Sequence, residues 1–449
     1  MRLGFGFGVG LVALMALPVA ARVAQAETVS TFQLDNGMEV VVIEDHRAPV
    51  VVHMVWYKIG AADESPGHSG IAHFLEHLMF QGTKTVAPGD LSKIVAAQGG
   101  SDNAFTTLDY TAYFQRVAAD RLDLMMTLES DRMRNLNLTE DDVTTERKVI
   151  LDERNQRTDS SPAALLSEQM SAAQYMNHPY GIPVIGWRHE VEQLSRADAL
   201  EFYQANYAPN NAILVVAGDV KPQDVLAMAK QHYGPIAPSD KIKPRLRPTE
   251  PPQLAERRLV LADERVAQPY VIRTYLAPER NPGDQRKAAA LKLLAELLGG
   301  NSTTSVFARA LQFDTQQAVY TAAFYDGTSL DQDTFGMVIV PAAGLGLPDA
   351  ERAMDAVVAK FLKDGVNSED FARIKAQLRA SEIYGRDDVQ GLAQDYGSGL
   401  TIGLSIKDIQ DWPGILQSVT AEEVMAAARE VLNRHNAVTG YLTTEEVAQ

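Results

Sequence analysis

The feature that most constrains the fold is a helix–strand unit that occurs at the end of each half of the chain. Ser195 and Thr420 are typical N-cap residues, each followed by helix-forming residues, and Asn211 and Asn436 each open a run of strand-forming residues. The spacing from cap to strand is 16 residues in both halves. This repeat predicts two domains of the same architecture, with chance similarity of a common unit as the alternative. A chain of 449 residues also exceeds one hydrophobic core.

The extended and helical runs of the sequence predict an α+β fold. Residues 31–44 contain two extended runs around an Asp-Asn-Gly turn, which is typical of a β-hairpin. The segment from Pro235 to Pro252 carries six prolines with basic residues and little apolar content, which is typical of an exposed linker. We expect two homologous α/β-sandwich domains, each a mostly antiparallel sheet packed against helices, joined by this Pro-rich linker. The expected boundaries are a signal peptide at 1–26, an N-terminal domain at 27–234, a linker at 235–256 and a C-terminal domain at 257–449.

Residues 1–26 have the composition of a cleavable signal peptide. Arg2 supplies a positive charge, residues 3–21 are almost wholly apolar, and Ala24-Gln-Ala26 forms a small-x-small cleavage site. An uncleaved membrane anchor is the alternative. Cleavage predicts a periplasmic or secreted protein, which agrees with the absence of cysteine from the sequence. Because no later run of about 18 apolar residues occurs, we expect no stable membrane span after cleavage.

The charge of the chain excludes two classes of partner. The formal net charge is −17, and removal of residues 1–26 takes away two arginines and no acidic residue, which leaves −19. A protein this acidic is a poor ligand for nucleic acid or for an anionic membrane surface. The same charge weakly favours basic or unfolded peptides as substrates, because an average over the surface does not fix the charge of a cleft.

One short stretch, His73-Phe-Leu-Glu76-His77, indicates a metal site. Its neighbours recur with helical spacing, and on a helix residues three and four apart share one face, so these three polar side chains project together. Two imidazoles one turn apart can bind one zinc ion, and the carboxylate beside them can accept a proton from the activated water. This H-x-x-E-H spacing is the inverzincin pattern. Two surface histidines on an amphipathic helix are the alternative.

A second helix offers carboxylates for the same site. The segment that begins at Thr139 has an N-cap residue followed by acidic residues, which predicts a helix start. Glu146 and Glu153 are seven residues apart, so they lie on one face of this helix with Val149 and Ile150 between them. Carboxylates beside a buried apolar strip need a cation nearby, and a metal would serve Glu153 while Glu146 orients the site. A solvated helix face is the alternative.

Taken together, these residues resemble the pitrilysin/insulinase-type zinc metallopeptidases, which include mitochondrial processing peptidases and many bacterial processing-type proteases. Glu153 follows His77 by 76 residues within E-R-K-V-I-L-D-E, and the resemblance is strongest over residues 32–219. The resemblance implies that the N-terminal domain is the zinc-binding peptidase domain and that the C-terminal domain, which has no H-x-x-E-H, is a homologous domain without metal. It also implies one Zn²⁺ per chain, with His73, His77 and Glu153 as ligands, Glu76 as general base and Glu146 as the supporting acid.

The resemblance also implies how a peptide is bound. The alternating, β-branched segment from Gly99 to Val117 predicts a strand. It is similar to a family strand whose exposed edge accepts an extended substrate as an added strand near the metal. An ordinary strand without this role is the alternative. The residues expected to bind substrate are Asn103, Ala104, Phe105 and Thr106.

One departure from the family pattern concerns the second half. Catalytically complete members place an Arg and a Tyr seven residues apart in this half to hold the substrate. Tyr320 matches that tyrosine, but Gln312 stands near the arginine position with one extra residue between them, and Arg309 is a turn earlier. A glutamine supplies no permanent positive charge to a developing oxyanion. We therefore expect a dimer in which a homologous partner subunit carries the Arg/Tyr half of the site.

The sequence thus favours a zinc metalloendopeptidase that is completed by a partner subunit. Two hypotheses from other classes remain open at this stage. One is a non-catalytic scaffold or core subunit of the same fold, and the other is an export-linked peptide-binding protein. Zinc content and EDTA-sensitive cleavage distinguish the three.

Overall fold

The computed structural model describes residues 28–445, so the expected signal peptide lies outside the described residues. Eleven strands of this part form two sheets. The strands of the first sheet are β1 (Val29–Gln33), β2 (Glu39–Glu44), β3 (Val50–Tyr57), β4 (Ser101–Thr106), β5 (Thr111–Ala118) and β6 (Ala212–Gly218). Those of the second sheet are β7 (Arg257–Ala262), β8 (Tyr270–Ala277), β9 (Ala318–Tyr325), β10 (Asp333–Pro341) and β11 (Ala437–Thr443).

The two sheets share one topology apart from the edge strand β1, which has no counterpart in the second sheet of the described residues. The first has the strand order β1-β2-β6-β3-β5-β4, and the second has the order β7-β11-β8-β10-β9. In each sheet one pair is parallel, β2 with β6 and β7 with β11, and the remaining pairs are antiparallel. The edge strand β9 therefore occupies the position in the second sheet that β4 occupies in the first. The predicted α+β architecture of two related domains is confirmed.

Fourteen helices of the described residues pack against these sheets. The first half contains α1 (Ile71–Leu78), α2 (Asp90–Ala97), α3 (Leu122–Asn135), α4 (Glu140–Arg154), α5 (Pro162–Gln174), α6 (Arg188–Val191), α7 (Arg196–Asn206) and α8 (Pro222–His232). The second half contains α9 (Arg286–Ala295), α10 (Leu347–Asp364), α11 (Ser368–Gly385), α12 (Val389–Thr401), α13 (Ile406–Ser418) and α14 (Ala421–Val431). Between residues 28 and 445, no helix combines the length and the apolar character that crossing a bilayer requires.

The repeated helix–strand unit has the form that the sequence indicates. Ser195 and Thr420 each close a capping box, the first at the start of α7 and the second at the start of α14. The following strands, β6 and β11, are the strands that run parallel to a neighbour in their sheets. The duplication is therefore a property of the fold and not a chance similarity.

Each domain also contributes one helix to the outer face of the other domain's sheet. Leu166 and Met170 of α5 pack with Val438 and Leu442 of β11 in one buried cluster. In a second cluster, Tyr396 of α12 packs against the outer face of the first sheet. The two domains thus share two apolar interfaces, one through α5 and one through α12.

Two local expectations are wrong in detail. The segment from Gly99 to Val117 is a hairpin of β4 and β5 and not one strand, because Thr107 Oγ1 accepts hydrogen bonds from the backbone N–H groups of Asp109 and Tyr110 and so turns the chain. The Pro-rich segment has no helix or strand, but it is not wholly exposed. Arg247 is buried within it and pairs with acidic residues of both domains, including Asp63, Asp109 and Asp331.

Candidate active site

Helix α1 carries the H-x-x-E-H residues, and its start is held by a carboxylate. Gly70 adopts φ +87° at the N-cap, and a Cβ there would lie 2.7 Å from the carbonyl oxygen of Ile185. Glu64 accepts hydrogen bonds from the backbone N–H groups of Gly70 and Ala72 at 2.9 and 2.8 Å. This carboxyl group satisfies two of the unpaired N–H groups that begin any helix.

The apolar face of α1 is fixed in the core of the first domain. Phe74, Leu75 and Leu78 have no measurable exposure, which leaves one rotational setting for the helix. In that setting His73, Glu76 and His77 point along the same side, toward α4 and the β4 edge. The helical periodicity in the sequence is therefore sufficient to place these three side chains.

Helix α4 brings the second set of residues. Thr139 closes a capping box with Asp142, and three acidic residues occupy the first turn. The helix continues beyond Arg154 into a π-helical turn, Asn155–Asp159. Arg154 is buried, and its two Nη atoms donate to the carboxylate of Glu168 on α5 at 2.9 and 3.0 Å. This bidentate pair fixes the end of α4 that carries Glu153.

Three ligand-type atoms from the two helices converge on one point. Nε2 of His77 lies 3.3 Å from Oε2 of Glu153, and Nε2 of His73 lies 3.7 Å from the same oxygen. Ligand atoms from all three residues lie within 4.8 Å of one another, and these three form the metal-type cluster found in the described residues. Two ligands that bind zinc at about 2.1 Å in a tetrahedral site are separated by about 3.4 Å. The observed separations agree with that geometry.

The protonation states of these groups also suit a cation. Burial lowers the pKa of His73 to about 3, so its imidazole is neutral at pH 7 and one ring nitrogen has a lone pair for a metal. Oε2 of Glu153 is buried and accepts no hydrogen bond in the described structure. A buried carboxylate oxygen that accepts no hydrogen bond is unfavourable unless a cation meets it. The residues present therefore fit a zinc ion.

Glu146 supports His77 from the side opposite the cluster. Its Oε1 lies 3.0 Å from Nδ1 of His77, and its Oε2 accepts a hydrogen bond from Nε2 of Gln81 at 2.8 Å. A carboxylate can only accept, so Nδ1 carries the proton and Nε2 of His77 is left free for a ligand. Burial is the largest single influence on His77 and opposes its protonation, but the bond to Glu146 together with the negative charges of Glu146, Glu153 and Glu76 raises the pKa of the imidazole.

Glu76 lies in the same site without joining the three-atom cluster. Its Oε2 accepts a hydrogen bond of 2.5 Å from the hydroxyl of Thr106 on β4. Burial raises the pKa of Glu76, and the bond from Thr106 opposes that shift. A carboxylate with a raised pKa is suited to accept and return a proton near neutral pH.

A cleft extends on both sides of Glu76 along β4. The side near Asn103, here called the Asn103 arm, has a volume of about 510 Å³ and is also lined by Phe80, Gln81 and Glu146. The side near Thr106, the Thr106 arm, has a volume of about 310 Å³. Every residue that lines either arm belongs to the first domain.

The four residues expected to bind substrate lie on β4, which is an edge of the first sheet. Asn103 lines one arm of the cleft, while Phe105 and Thr106 line the other. The N–H of Ala104 donates to the side-chain oxygen of Asn103 at 2.9 Å and not to a neighbouring strand. This backbone group is therefore available to an added strand if the Asn103 side chain moves aside.

Tyr320 does not join the site of its own chain. It lies half-exposed on β9, the edge strand of the second sheet, and is not among the residues that line the cleft. Gln312 donates to the hydroxyl of Thr321 at 2.7 Å, and Arg309 pairs with Asp370. The side chain of Arg309 is thus engaged away from the cleft, as its spacing in the sequence indicates.

Three residues of the site are not among those that the sequence predicts. Glu64 caps α1, Gln81 holds Glu146, and Arg157 contacts Glu153 from the Thr106 arm. Arg157 is four residues after Glu153, so the rule that opposite charges pair at this helical spacing could have identified it. Glu64 and Gln81 carry no comparable signal in a single sequence.

Comparison with known proteins places this geometry in a family. The family model described as Insulinase (Peptidase family M16) matches residues 39–187, and the model described as Peptidase M16 inactive domain matches residues 193–378. The chain is 29% identical over 414 residues to the zinc protease PqqE of Helicobacter pylori, with 91% of each chain covered. It is 31% identical over 388 residues to an uncharacterized zinc protease of Mycobacterium tuberculosis, with 85% of each chain covered.

A solved structure supports the same assignment. The crystal structure of a protease from Helicobacter pylori matches the fold with a TM-score of 0.87 and 27% identity, and the match covers 93% of this chain and 100% of that chain. The models span both domains, and a relative above 30% identity covers most of the chain. The chain therefore belongs to the insulinase family of peptidases, family M16.

Proposed function

We propose that this protein is a zinc-dependent endopeptidase that cleaves peptides or unfolded polypeptides. The observation that carries the proposal is the convergence of His73 Nε2, His77 Nε2 and Glu153 Oε2 beside a free sheet edge. The naming of several relatives as zinc proteases agrees with it. In this proposal those three residues hold one zinc ion.

The chain's own residues have distinct roles in the proposed reaction. A zinc ion held there would supply Lewis-acid chemistry, activating a water molecule and polarising the peptide carbonyl. Glu76 takes the proton from the attacking water and returns it to the leaving amine. Thr106 keeps the Glu76 carboxylate pointed into the cleft, and Glu146 fixes the tautomer and ring orientation of His77.

The substrate is bound as an added strand beside β4. Main-chain hydrogen bonds to residues 103–106 supply affinity that depends little on the peptide sequence. Side chains of the substrate then lie in the two arms of the cleft. This mode suits extended or unfolded chains, because most backbone groups of a folded chain are already engaged in its own hydrogen bonds.

The proposal is tested by zinc content and peptide cleavage together. Wild-type protein should contain one zinc per chain and cleave a quenched peptide in an EDTA-sensitive manner. Glu76→Gln should keep the zinc and lose several orders of magnitude in rate, whereas His77→Ala should lose the zinc. His68→Ala is the matched control, because His68 is an exposed histidine outside the three-residue cluster.

The outcomes separate the three classes of function. Zinc-free wild-type protein, or a Glu76→Gln variant as active as wild type, would refute the proposed mechanism. Stoichiometric zinc without cleavage of any peptide would favour a scaffold or core subunit. EDTA-insensitive peptide binding without cleavage would favour a peptide-binding protein.

We further propose that a second, homologous subunit completes the site. The cleft is lined by first-domain residues, Tyr320 lies outside it, and Gln312 and Arg309 are engaged elsewhere. In a dimer Tyr320 could serve a cleft other than its own, while the partner supplies the arginine and tyrosine for this one. Full turnover by the purified chain alone, as a monomer or as a homodimer, would contradict this part of the proposal.

The proposed cellular location is the periplasm or the exterior of the cell. The argument is the signal-peptide composition of residues 1–26 and the absence of cysteine. The test is the N-terminal sequence of protein purified from a periplasmic extract. Cleavage after Ala26 is the expected result, and an intact Met1 on cytoplasmic protein would contradict it.

A further inference from the structure

Arg157 is the cationic residue that the structure places in the Thr106 arm of the cleft. It lies in the π-helical turn after α4, where Nη1 is 2.6 Å from Oε1 of Glu153. Three quarters of its side chain is nevertheless exposed to solvent. A guanidinium has five N–H donors in a planar fork, so one contact with Glu153 leaves donors for a ligand.

The two arms of the cleft differ in charge. The Asn103 arm is lined by Glu146 together with neutral side chains and His77, and Glu76 borders both arms. The Thr106 arm is lined by Glu153, whose charge the proposed zinc ion would meet, and it also carries Arg157 beside the apolar side chains of Phe105, Val184 and Ile185. A carboxylate in this arm would meet a forked cation beside a partly apolar wall, at a position that solvent still reaches.

The direction of β4 determines which part of a peptide enters this arm. β4 runs from Ser101 to Thr106, and its existing neighbour β5 is antiparallel to it. Antiparallel pairing is the more stable mode per residue. A peptide added in this way runs from the Thr106 end to the Asn103 end. Its residues on the N-terminal side of the scissile bond therefore lie in the Thr106 arm.

We infer that Arg157 is a specificity-determining residue that selects substrates with an acidic side chain on the N-terminal side of the cleaved bond. The inference rests on the proposed peptidase function and names the substrate class of that site. It does not follow from the net charge of the protein, which is strongly negative and would by itself favour basic peptides. The positive charge of Arg157 is opposite in sign to the net charge of the protein.

A purely structural role for Arg157 makes a different prediction. If the guanidinium only orients Glu153, its removal changes zinc content or the rate for every peptide by the same factor. If it contacts substrate, its removal changes the ratio between acidic and neutral peptides. The ratio is therefore the decisive measurement.

The experiment measures peptide binding to full-length, zinc-loaded Glu76→Gln protein by fluorescence anisotropy, so that cleavage does not interfere. Three otherwise identical peptides carry Asp, Asn or Lys at one of the two positions before the bond that wild-type enzyme cuts. We expect the Asp peptide to bind about three- to tenfold more tightly than the Asn peptide, and the Lys peptide more weakly than both. The preference should shrink at about 0.5 M salt.

Variants at Arg157 then assign the preference. In the same background, Arg157→Gln should bring the Asp-to-Asn ratio close to one, and Arg157→Lys should retain part of it because the charge remains. Arg352→Gln is the matched control, since Arg352 is an exposed arginine of the second domain that pairs with an acidic residue one turn away. This control should leave the ratio unchanged.

Each alternative result is informative. Equal binding of the three peptides, a preference that survives in Arg157→Gln, or a uniform loss for all peptides would overturn the inference while the peptidase proposal stands. Absence of binding for every peptide, together with absence of cleavage by wild type, would remove the proposed function and this inference with it.

Discussion

Replacing Glu146 with Gln should weaken zinc binding by about 10- to 100-fold without changing the fold. Both oxygens of Glu146 are used, one by Nδ1 of His77 at 3.0 Å and one by the amide of Gln81 at 2.8 Å. A glutamine at this position can still offer its carbonyl oxygen to His77. Its NH₂ group then faces the amide of Gln81, which must turn over to present its own oxygen. Both hydrogen bonds can form again in the variant, so the substitution removes only the negative charge.

The size of the effect follows from the burial of this contact. The Glu146 and His77 side chains are 14% and 23% exposed, so water screens the pair only partly. A hydrogen bond to a charged group contributes about 1.5–3 kcal/mol and a neutral one about 0.5–1.5 kcal/mol, so loss of the charge costs about 1–1.5 kcal/mol. Since each factor of ten in affinity corresponds to about 1.4 kcal/mol, this difference accounts for roughly one factor of ten, the lower end of the expected range.

The assay is competition for zinc against a chelator of known affinity, followed by elemental analysis of the protein. Glu140→Gln is the control, because Glu140 lies on the same helix with a side chain that is 77% exposed. We expect this control to bind zinc as wild type does. An affinity of Glu146→Gln within twofold of wild type would refute the argument that this carboxylate supports His77.

Three further predictions concern stability. Gly397→Ala should lower the free energy of unfolding by about 1–3 kcal/mol in chemical denaturation, because its Cβ would lie 2.0 Å from the ring of Trp56; an unchanged midpoint would contradict this packing. Burial raises the pKa of Asp333 to about 7, so the folded state holds a proton that the unfolded state releases. The contribution of this group to the free energy of unfolding should therefore fall as the pH rises from about 4 to 7. Asp333→Asn should flatten that dependence in melts at pH 5 and pH 8, and parallel curves would disprove the shift. Glu64→Ala should cost about 1–2 kcal/mol through loss of the α1 cap, measured as a lower melting temperature, and equal melting temperatures would exclude the capping role.

The parts of the site that the sequence predicts are those that depend on helical spacing. His73, Glu76 and His77 share a face because residues three and four apart always do, and the buried neighbours of α1 fix which way that face points. The caps at Thr139 and Ser195 were identifiable because a hydroxyl followed three residues later by an acid closes a local ring of hydrogen bonds. These features need no knowledge of the tertiary structure.

The parts that the sequence could not give depend on contacts between distant segments or on unusual turns. The sequence predicts one strand where the structure has the hairpin of β4 and β5. The turn between them contains no Gly or Pro and is made by the hydroxyl of Thr107. The sequence predicts that Arg247 is a linker residue. The acidic residues with which it pairs belong to both domains and lie far from it in the sequence, so its own segment does not indicate them. In both places the local structure depends on a side-chain contact that the pattern of residues along the chain does not reveal.

The exchange of helices between the domains explains why a domain without metal ligands is needed for the site. Met170 of α5 lies against Gly440 of the second sheet, where an added Cβ would approach its sulfur to 2.4 Å. The same helix holds Arg154 through Glu168, and Arg154 directly follows Glu153 in α4. The position of the carboxylate that completes the cluster is therefore set by how α5 rests on the other domain.

The first sheet depends on the second domain in the same way. Helix α12 covers its outer face and packs against Trp56, whose ring contacts Phe105 on β4 at a centroid distance of 5.4 Å. A shift of the second domain would thus move both Glu153 and the edge strand that we propose as the substrate site. Because a misplacement of about 1 Å can cost a factor of roughly one hundred in rate, the second domain has to keep its shape even though it carries no ligand. The duplicated architecture of the second domain and its lack of an H-x-x-E-H agree with one proposed role, which is to hold α4 and β4 of the first domain in register.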